Sequence, residues 1–111
     1  MNKSIFDVSS KVAIVTGGGG VLGGNISKHL INAGCKVVVL DIREENVKTR
    51  VEELEAMGGT AIGYVSNVLD VEEMKNTRDK IIEAWGKIDI LINAAGGNLP
   101  GATLTEEQTV F

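Results

Sequence analysis

The chain has 111 residues, of which 43% are hydrophobic and 23% are charged, and its formal net charge is −4. This length suits one small globular domain, and the lack of a basic cluster argues against a nucleic-acid partner. Residues 1–11 lack the apolar core of a signal peptide, no apolar run is long enough to cross a membrane, and Cys35 has no second cysteine to pair with. We therefore expect a cytoplasmic protein with no membrane partner.

The hydrophobic pattern alternates between buried strands and amphipathic helices. Continuous β-branched runs such as VAIVT and KVVVLD predict strands that are covered on both faces, whereas apolar residues three and four positions apart predict helices. Glycines follow each helical segment, where glycine commonly ends a helix. The predicted elements, in chain order, are strand Val12–Thr16, helix Leu22–Ala33, strand Lys36–Asp41, helix Glu44–Met57, strand Ala61–Ser66, helix Val71–Trp85 and strand Ile88–Asn93.

Each predicted helix has one apolar side that we expect to face a core. The spacing of Asp70 and Glu73 also predicts an N-terminal capping box on the third helix. The apolar sides are Leu22, Ile26, Leu30 and Ala33 in the first helix, Val47, Val51 and Leu54 in the second, and Met74, Ile81, Ile82 and Trp85 in the third.

Strands that alternate with helices in this way form a parallel sheet with helices on both faces. The predicted fold class is α/β, the N-terminal half of a Rossmann-type doubly wound parallel sheet with topology β-α-β-α-β-α-β and strand order 3-2-1-4. Residues 1–97 are predicted to form this dinucleotide-binding half-domain, and residues 98–111 a loop-like tail leading to an absent catalytic half. The fourth strand would leave a sheet edge open, so we expect a further segment or another chain to cover it.

Six of the glycines lie between the first strand and the first helix, at Gly17–Gly20, Gly23 and Gly24. In a doubly wound sheet ligands bind beyond the carboxyl ends of the strands, where a helix N-terminus offers unpaired N–H groups to a phosphate. The spacing Gly18-x-Gly20-x-x-Gly23 fits the dinucleotide fingerprint. A tight turn without a ligand is the alternative interpretation. No Gly-Lys-Ser/Thr follows, so the segment is not a P-loop.

Asp41 closes the second predicted strand. A carboxylate at that position can accept hydrogen bonds from both hydroxyls of an adenosine ribose and would repel a 2′-phosphate, which favours NAD over NADP. Arg43 argues mildly for NADP, because a nearby cation could accommodate the phosphate. Alternatively, Asp41 and Glu44 could form a helix cap. His29 has no Cys, His or carboxylate cluster around it in sequence, so no metal site is predicted.

These motifs resemble the short-chain dehydrogenases/reductases, whose usual opening is Thr-Gly-x-x-x-Gly-x-Gly. The matching segment here is Thr16-Gly17-Gly18-Gly19-Gly20-Val21-Leu22-Gly23, with Val21 where the family has its middle glycine. This variant is similar to a subgroup of mannonate/fructuronate-type sugar-acid oxidoreductases. Asn67-Val68 stands where the family has Asp-Val beside the adenine, and Asn93-Ala94-Ala95-Gly96 where it has Asn-Asn-Ala-Gly.

The fingerprint and the resemblance together predict the cofactor-binding set. We expect NAD as the cofactor, with NADP less favoured, and a small-molecule substrate such as a sugar acid. The resemblance also implies a homo-oligomer for the full-length form. The predicted cofactor-binding residues are Gly17, Gly19, Gly20, Val21, Leu22, Gly23, Asp41, Ile42, Asn67, Val68, Asn93, Ala94, Ala95 and Gly96.

No catalytic residue is predicted within the 111 residues. The family's chemistry uses a Tyr-x-x-x-Lys pair, but the only tyrosine here is Tyr64, which lies in a predicted strand and is followed by Val68 instead of lysine. The resemblance therefore implies the cofactor-binding portion of an oxidoreductase, inactive by itself. Two alternatives remain open: a non-catalytic dinucleotide-binding module that acts through a partner, and a purely structural βα domain.

Overall fold

A computed structural model describes residues 9–94 of the chain. The predicted alternation of strands and helices is confirmed over this part. The elements are β1 (Val12–Thr16), α1 (Val21–Asn32), β2 (Lys36–Asp41), α2 (Glu44–Ala56), β3 (Thr60–Val65), α3 (Val71–Trp85) and β4 (Ile90–Asn93).

The described strands form one parallel sheet in the order β3-β2-β1-β4, as predicted for the first half of a Rossmann-type fold. In its centre, Ile14 of β1 lies between Val38 of β2 and Leu91 of β4. All five residues of β1 are buried, because helices cover both faces of the sheet. The carboxyl ends of all four strands therefore point toward the same edge of the sheet.

Alternation along β1 and β2 divides the core into two clusters on opposite faces of the sheet. One face carries Val15, Val37 and Val39, which pack with Ile31 of α1 and Leu54 of α2. The opposite face carries a second set of strand residues that packs against α3. This second cluster consists of Val12, Ile14, Val38, Leu40, Met74 and Ile81.

Several predicted boundaries were wrong by one or two residues. Helix α1 begins at Val21, one residue early, because the extended Gly20 is its N-cap. Its last residue is Asn32, and α2 ends at Ala56, because Ala33 and Met57 are the caps. Strand β3 runs from Thr60 to Val65, and β4 begins only at Ile90.

The predicted inner face of α1 was also partly wrong. Leu22 is 55% exposed, Ala33 is exposed, and Ile26 and Leu30 are only partly buried. The fully buried face is made mostly of small residues: Gly23, Gly24, Ser27 and Ile31. Small side chains let the helix axis approach the sheet closely, so a search for large apolar residues assigns the face incorrectly.

Helix α3 follows the prediction with two differences. Met74 and Ile81 are buried, but Ile82 is 42% exposed. The Asp70 carboxylate caps the helix by accepting a hydrogen bond from the Glu73 N–H at 3.1 Å. The Glu73 carboxylate accepts from the N–H of Asn67 at 2.9 Å instead of completing the predicted capping box. The carboxylate of Glu73 therefore fixes the segment between β3 and α3.

Cys35 is 3% exposed and packs in the core, and burial together with the negative charge of Asp89 raises the pKa of its thiol. A raised thiol pKa disfavours the reactive thiolate, in agreement with a structural role.

No helix among residues 9–94 is both long and apolar enough to cross a membrane. The predicted tail at residues 98–111 lies outside the described residues, so the domain boundary stays a prediction.

Asp89 joins β1 to the start of β4. Its carboxylate accepts a hydrogen bond from the Val12 N–H at 2.8 Å and pairs with Lys87 at 3.2 Å. The bond from Val12 is the main reason that the pKa of Asp89 is lowered. The Asp89 N–H also donates to the Val12 carbonyl at 2.9 Å, so main chain and side chain together hold the start of β4 against β1.

We expect Asp89→Asn to lower the free energy of unfolding by about 1 kcal/mol at neutral pH, because an amide accepts the Val12 bond less strongly. A lowered folded-state pKa stabilises the protein above the unfolded pKa, and this stabilisation is lost as the pH falls through the folded pKa. The difference between the two proteins should therefore shrink below about pH 4. Urea unfolding at several pH values measures this difference in the free energy of unfolding. The control is Asp79→Asn, because Asp79 is an exposed carboxylate. An equal effect of both substitutions would contradict the assignment.

Candidate functional site

The glycine-rich segment forms a tight turn between β1 and α1. Gly17 has φ = 68°, a left-handed conformation that favours glycine. The N–H of Gly18 donates to the Leu40 carbonyl at 3.0 Å, and the N–H of Gly20 donates back to the Gly17 carbonyl at 3.0 Å. These bonds hold the turn against the end of β2 and bring α1 to the carboxyl edge of the sheet.

Gly23 allows α1 to pack directly on this turn. A Cβ atom at position 23 would overlap the carbonyl oxygen of Gly17 and lie 2.7 Å from the Cα of Gly18. Both obstacles are backbone atoms, which cannot move aside as a flexible side chain can. The third glycine of the predicted fingerprint is therefore required for the close approach of the helix to the strand.

The N-terminus of α1 presents unpaired donors at the carboxyl edge. Its first intrahelical hydrogen bond runs from the Gly24 N–H to the Gly20 carbonyl at 2.8 Å. Consequently, the N–H groups of Val21, Leu22 and Gly23 have no acceptor within residues 9–94. With the partial positive charge of the helix N-terminus, they can bind an anion such as a phosphate.

The Asp41 carboxylate lies beside the glycine turn. Its Oδ2 atom accepts a hydrogen bond from the Gly19 N–H at 3.1 Å, and its Oδ1 atom accepts from the Arg43 N–H at 3.2 Å. The N-cap of α2 is Arg43, with no side-chain capping bond. The alternative that Asp41 and Glu44 form a helix cap was therefore wrong, and the carboxylate is held next to the turn instead.

A cleft of about 170 Å³ opens next to Asp41 at the ends of β1, β2 and β3. Asn67 is held within it by an Asx turn, because its Oδ1 atom accepts from the Leu69 N–H at 2.9 Å. The sequence analysis missed Ser66 and Leu69, which no local motif marks. The lining residues are Gly17, Asp41, Ile42, Ser66, Asn67, Val68 and Leu69.

The end of β4 completes this edge. The Thr16 hydroxyl donates to the Oδ1 atom of Asn93 at 2.8 Å, and the Ala94 N–H donates to the Thr16 carbonyl at 3.0 Å. Asn93 and Ala94 therefore lie beside the last residue of β1, on the side away from β2 and Asp41. The predicted site residues Ala95 and Gly96 lie outside the described residues.

Arg50 of α2 is a residue of this region that the sequence analysis missed. Its guanidinium donates to the carbonyl oxygens of the glycine turn, beginning with Gly18 at 3.0 Å. An arginine on a charged amphipathic helix carries no sequence signal of such a contact.

Within residues 9–94, His, Cys, Asp and Glu side chains form no group of three or more that could hold a metal ion.

Comparison with known proteins identifies the family to which this site belongs. The family model described as short chain dehydrogenase matches residues 11–110. "Uncharacterized oxidoreductase UxuB" of Bacillus subtilis is 37% identical over 103 residues, which cover 93% of this chain and 37% of that protein.

Two solved structures are also similar. A candidate D-mannonate oxidoreductase from Haemophilus influenza, with bound NAD, has a TM-score of 0.78 and 38% identity, over 95% of this chain and 38% of that one. A metagenomic short-chain oxidoreductase in complex with NADP has a TM-score of 0.71 and 26% identity, over 75% of this chain and 38% of that one. The chain spans about two fifths of the length of these proteins. It belongs to the short-chain dehydrogenase family.

Proposed function

We propose that this chain is the NAD-binding portion of an oxidoreductase that transfers a hydride between nicotinamide and a small alcohol or carbonyl substrate. The observation that carries this proposal is the position of the Asp41 carboxylate, 3.1 Å from the N–H of Gly19 in the turn before α1. A ribose-binding carboxylate and a phosphate-binding helix N-terminus are thereby joined in one site.

The residues present fit such a dinucleotide. The unpaired N–H groups at the start of α1 suit the pyrophosphate, and the absence of side chains in the turn leaves its backbone accessible. The Asp41 carboxylate suits the adenosine ribose, and the cleft between Ile42 and Val68 suits the flat adenine base. When bound, the nicotinamide would donate or accept the hydride.

We infer a preference for NAD over NADP. The 2′-phosphate of NADP would lie beside the Asp41 carboxylate, and neighbouring negative charges repel each other. The main chain of Arg43 bonds to Asp41, but its side chain has no hydrogen bond or ion pair within residues 9–94. A related structure holds NADP, so the preference depends on the local charge at Asp41 and not on membership of the family.

A sugar acid is the proposed substrate class. This proposal is supported by the Thr16–Gly23 segment and by similarity to the candidate D-mannonate oxidoreductase. Because the chain has no Tyr-x-x-x-Lys sequence, we propose that the proton-transfer residues come from another part of a longer, homo-oligomeric, cytoplasmic protein. Asn93 and Ala94 would then lead the chain toward the nicotinamide.

Calorimetric titration of the 111-residue chain with NAD and with NADP tests this function. We expect NAD to bind about tenfold more tightly than NADP, because one carboxylate–phosphate repulsion across water costs on the order of 1 kcal/mol. We also expect no NAD reduction when D-mannonate or another alcohol is added to this chain alone. An undetectable affinity for NAD would contradict cofactor binding, and turnover by the isolated chain would contradict the assignment of the catalytic residues elsewhere.

A further inference from the structure

The guanidinium of Arg50 binds the glycine turn from the side of α2. Its Nε atom donates to the Gly18 carbonyl at 3.0 Å, and its Nη2 atom donates to the carbonyls of Gly19 and Gly20 at 3.3 and 3.2 Å. Only 15% of this side chain is exposed. Three successive carbonyl groups therefore share one planar cation.

Gly24 provides the space that this guanidinium occupies. A Cβ atom at position 24 would lie 2.5 Å from the Cζ atom of Arg50 and 2.6 Å from its Nη2 atom. Gly24 lies outside the Gly18-x-Gly20-x-x-Gly23 fingerprint, so the fingerprint does not account for it. Its lack of a side chain is explained by the arginine of the neighbouring helix.

One carboxylate, itself paired with a lysine, holds the outer side of Arg50. Its Nη1 atom lies 2.8 Å from the Glu53 carboxylate, which also pairs with Lys28 of α1 at 2.8 Å. The hydrogen bond from Lys28 is the largest of the effects that lower the pKa of Glu53, and the charge of Arg50 adds to it. The guanidinium is thus fixed between Glu53 and the turn.

The direction of the carbonyl groups determines the direction of the amides that follow. The described peptide bonds are trans, so each C=O points opposite to the next N–H. By holding the Gly18 carbonyl, Arg50 turns the Gly19 N–H toward Asp41. The Gly20 carbonyl also accepts from the Gly24 N–H at 2.8 Å, and the additional bond from Arg50 supports the direction of the Val21 N–H at the start of α1. One side chain therefore orients donors on both the ribose side and the phosphate side of the site.

We propose that Arg50, seated on Gly24, is a positioning residue that presets the glycine turn for the dinucleotide without touching it. This inference rests on the proposed NAD binding. It predicts that the contributions of Arg50 and Gly24 to NAD affinity are a single effect, because Gly24 matters only by admitting the guanidinium.

A double-mutant cycle tests this coupling. NAD dissociation constants are measured for the wild type, Gly24→Ala, Arg50→Ala and the double variant, at a temperature where circular dichroism shows all four folded. We expect Arg50→Ala and Gly24→Ala each to weaken NAD binding by about tenfold, the equivalent of one charged hydrogen bond. In the Arg50→Ala background, Gly24→Ala should change the affinity by less than about twofold. The proposal would be overturned if the effects of the two single substitutions multiply in the double variant, or if Arg50→Ala binds NAD with unchanged affinity.

Thermal unfolding of the same four proteins gives an independent readout. Alanine is more favourable than glycine inside a helix, so Gly24→Ala should raise the unfolding midpoint once the arginine is gone. In the wild-type background the same substitution should lower it, because the methyl group displaces the guanidinium. The same sign in both backgrounds would contradict the seating of Arg50 on Gly24.

Two control variants separate positioning from charge. Lys28→Met removes the outer ion pair with Glu53 and should leave the NAD affinity within about twofold, since surface ion pairs contribute little. Arg50→Lys retains the charge without the planar guanidinium and should remain weakened; full recovery of affinity would overturn positioning in favour of simple attraction. If the wild type itself binds no NAD, the proposed function fails and this inference with it. If it binds and Arg50→Ala binds equally well, only this inference fails.

Discussion

Replacement of Gly23 by alanine is expected to abolish NAD binding and to destabilise the fold by about 2 kcal/mol. The added methyl group would overlap the Gly17 carbonyl and crowd Gly18, so α1 would have to move away from β1. Overpacking against rigid neighbours commonly costs 1–3 kcal/mol, and a β-turn backbone yields less than a side chain. This loss exceeds the gain of about 1 kcal/mol that alanine brings inside a helix. Urea unfolding and calorimetry measure the two effects.

Gly20→Ala is the matched control in the same turn. The nearest atom to a Cβ at position 20 is the Gly17 carbonyl oxygen at 3.4 Å, and its φ of −84° is accessible to any residue. We expect this variant to lose less than about 1 kcal/mol, the usual effect of alanine at an N-cap. A loss of NAD binding with retained stability would indicate that a ligand contacts the backbone there. Equal destabilisation by Gly20→Ala and Gly23→Ala would contradict the close approach described for Gly23.

Asp41→Asn is expected to weaken NAD binding by about tenfold or more and to reduce the discrimination against NADP. The amide keeps the shape of the side chain but has one acceptor oxygen and no charge, so it forms weaker bonds with ribose hydroxyls. The loss of charge also removes the repulsion of a 2′-phosphate. Affinities for both dinucleotides, measured on the same protein preparation, give the ratio directly.

Glu45→Gln is the control for this change of charge. Glu45 is an exposed carboxylate in the first turn of α2 and does not line the cleft. We expect it to leave the ratio of NAD to NADP affinity unchanged within about twofold. If both substitutions change the ratio equally, the preference comes from the overall charge of this region and not from Asp41.

The sequence predicted the strand order and the glycine turn because both depend on local patterns. VAIVT and KVVVLD are buried strands by their apolar runs alone, and Gly23 is explained by spacing within its own segment. The inner face of α1 was assigned incorrectly because burial there depends on how closely two elements approach. Gly24 and Ser27 are buried because their small side chains fit where α1 lies close to its neighbours, whereas the larger Leu22 remains exposed.

The contacts of Arg50 show a second limit of sequence interpretation. Arg50 and Gly18 are distant in the chain, and their contact exists only because α2 packs beside α1 on the same face of the sheet. Asp41 was identified by its position at the end of β2 and Asn67 by its resemblance to the family's Asp-Val position, and both line the same cleft. Residues at strand ends can therefore be grouped from sequence, whereas a helix side chain that reaches across to a loop cannot.

The strand order also determines when the sheet can be completed during synthesis. Strand β1 pairs with β2 on one side, but its other neighbour is β4, whose Ile92 pairs with Val15. The unit β3-β2-β1 can assemble once Val65 has left the ribosome, whereas the far side of β1 waits for Asn93, a delay on the order of seconds at usual elongation rates. During that interval an apolar strand edge is open to other chains. Until the fourth strand emerges, this unpaired edge of β1, the central buried strand, is therefore a site at which the nascent protein can aggregate or bind a chaperone.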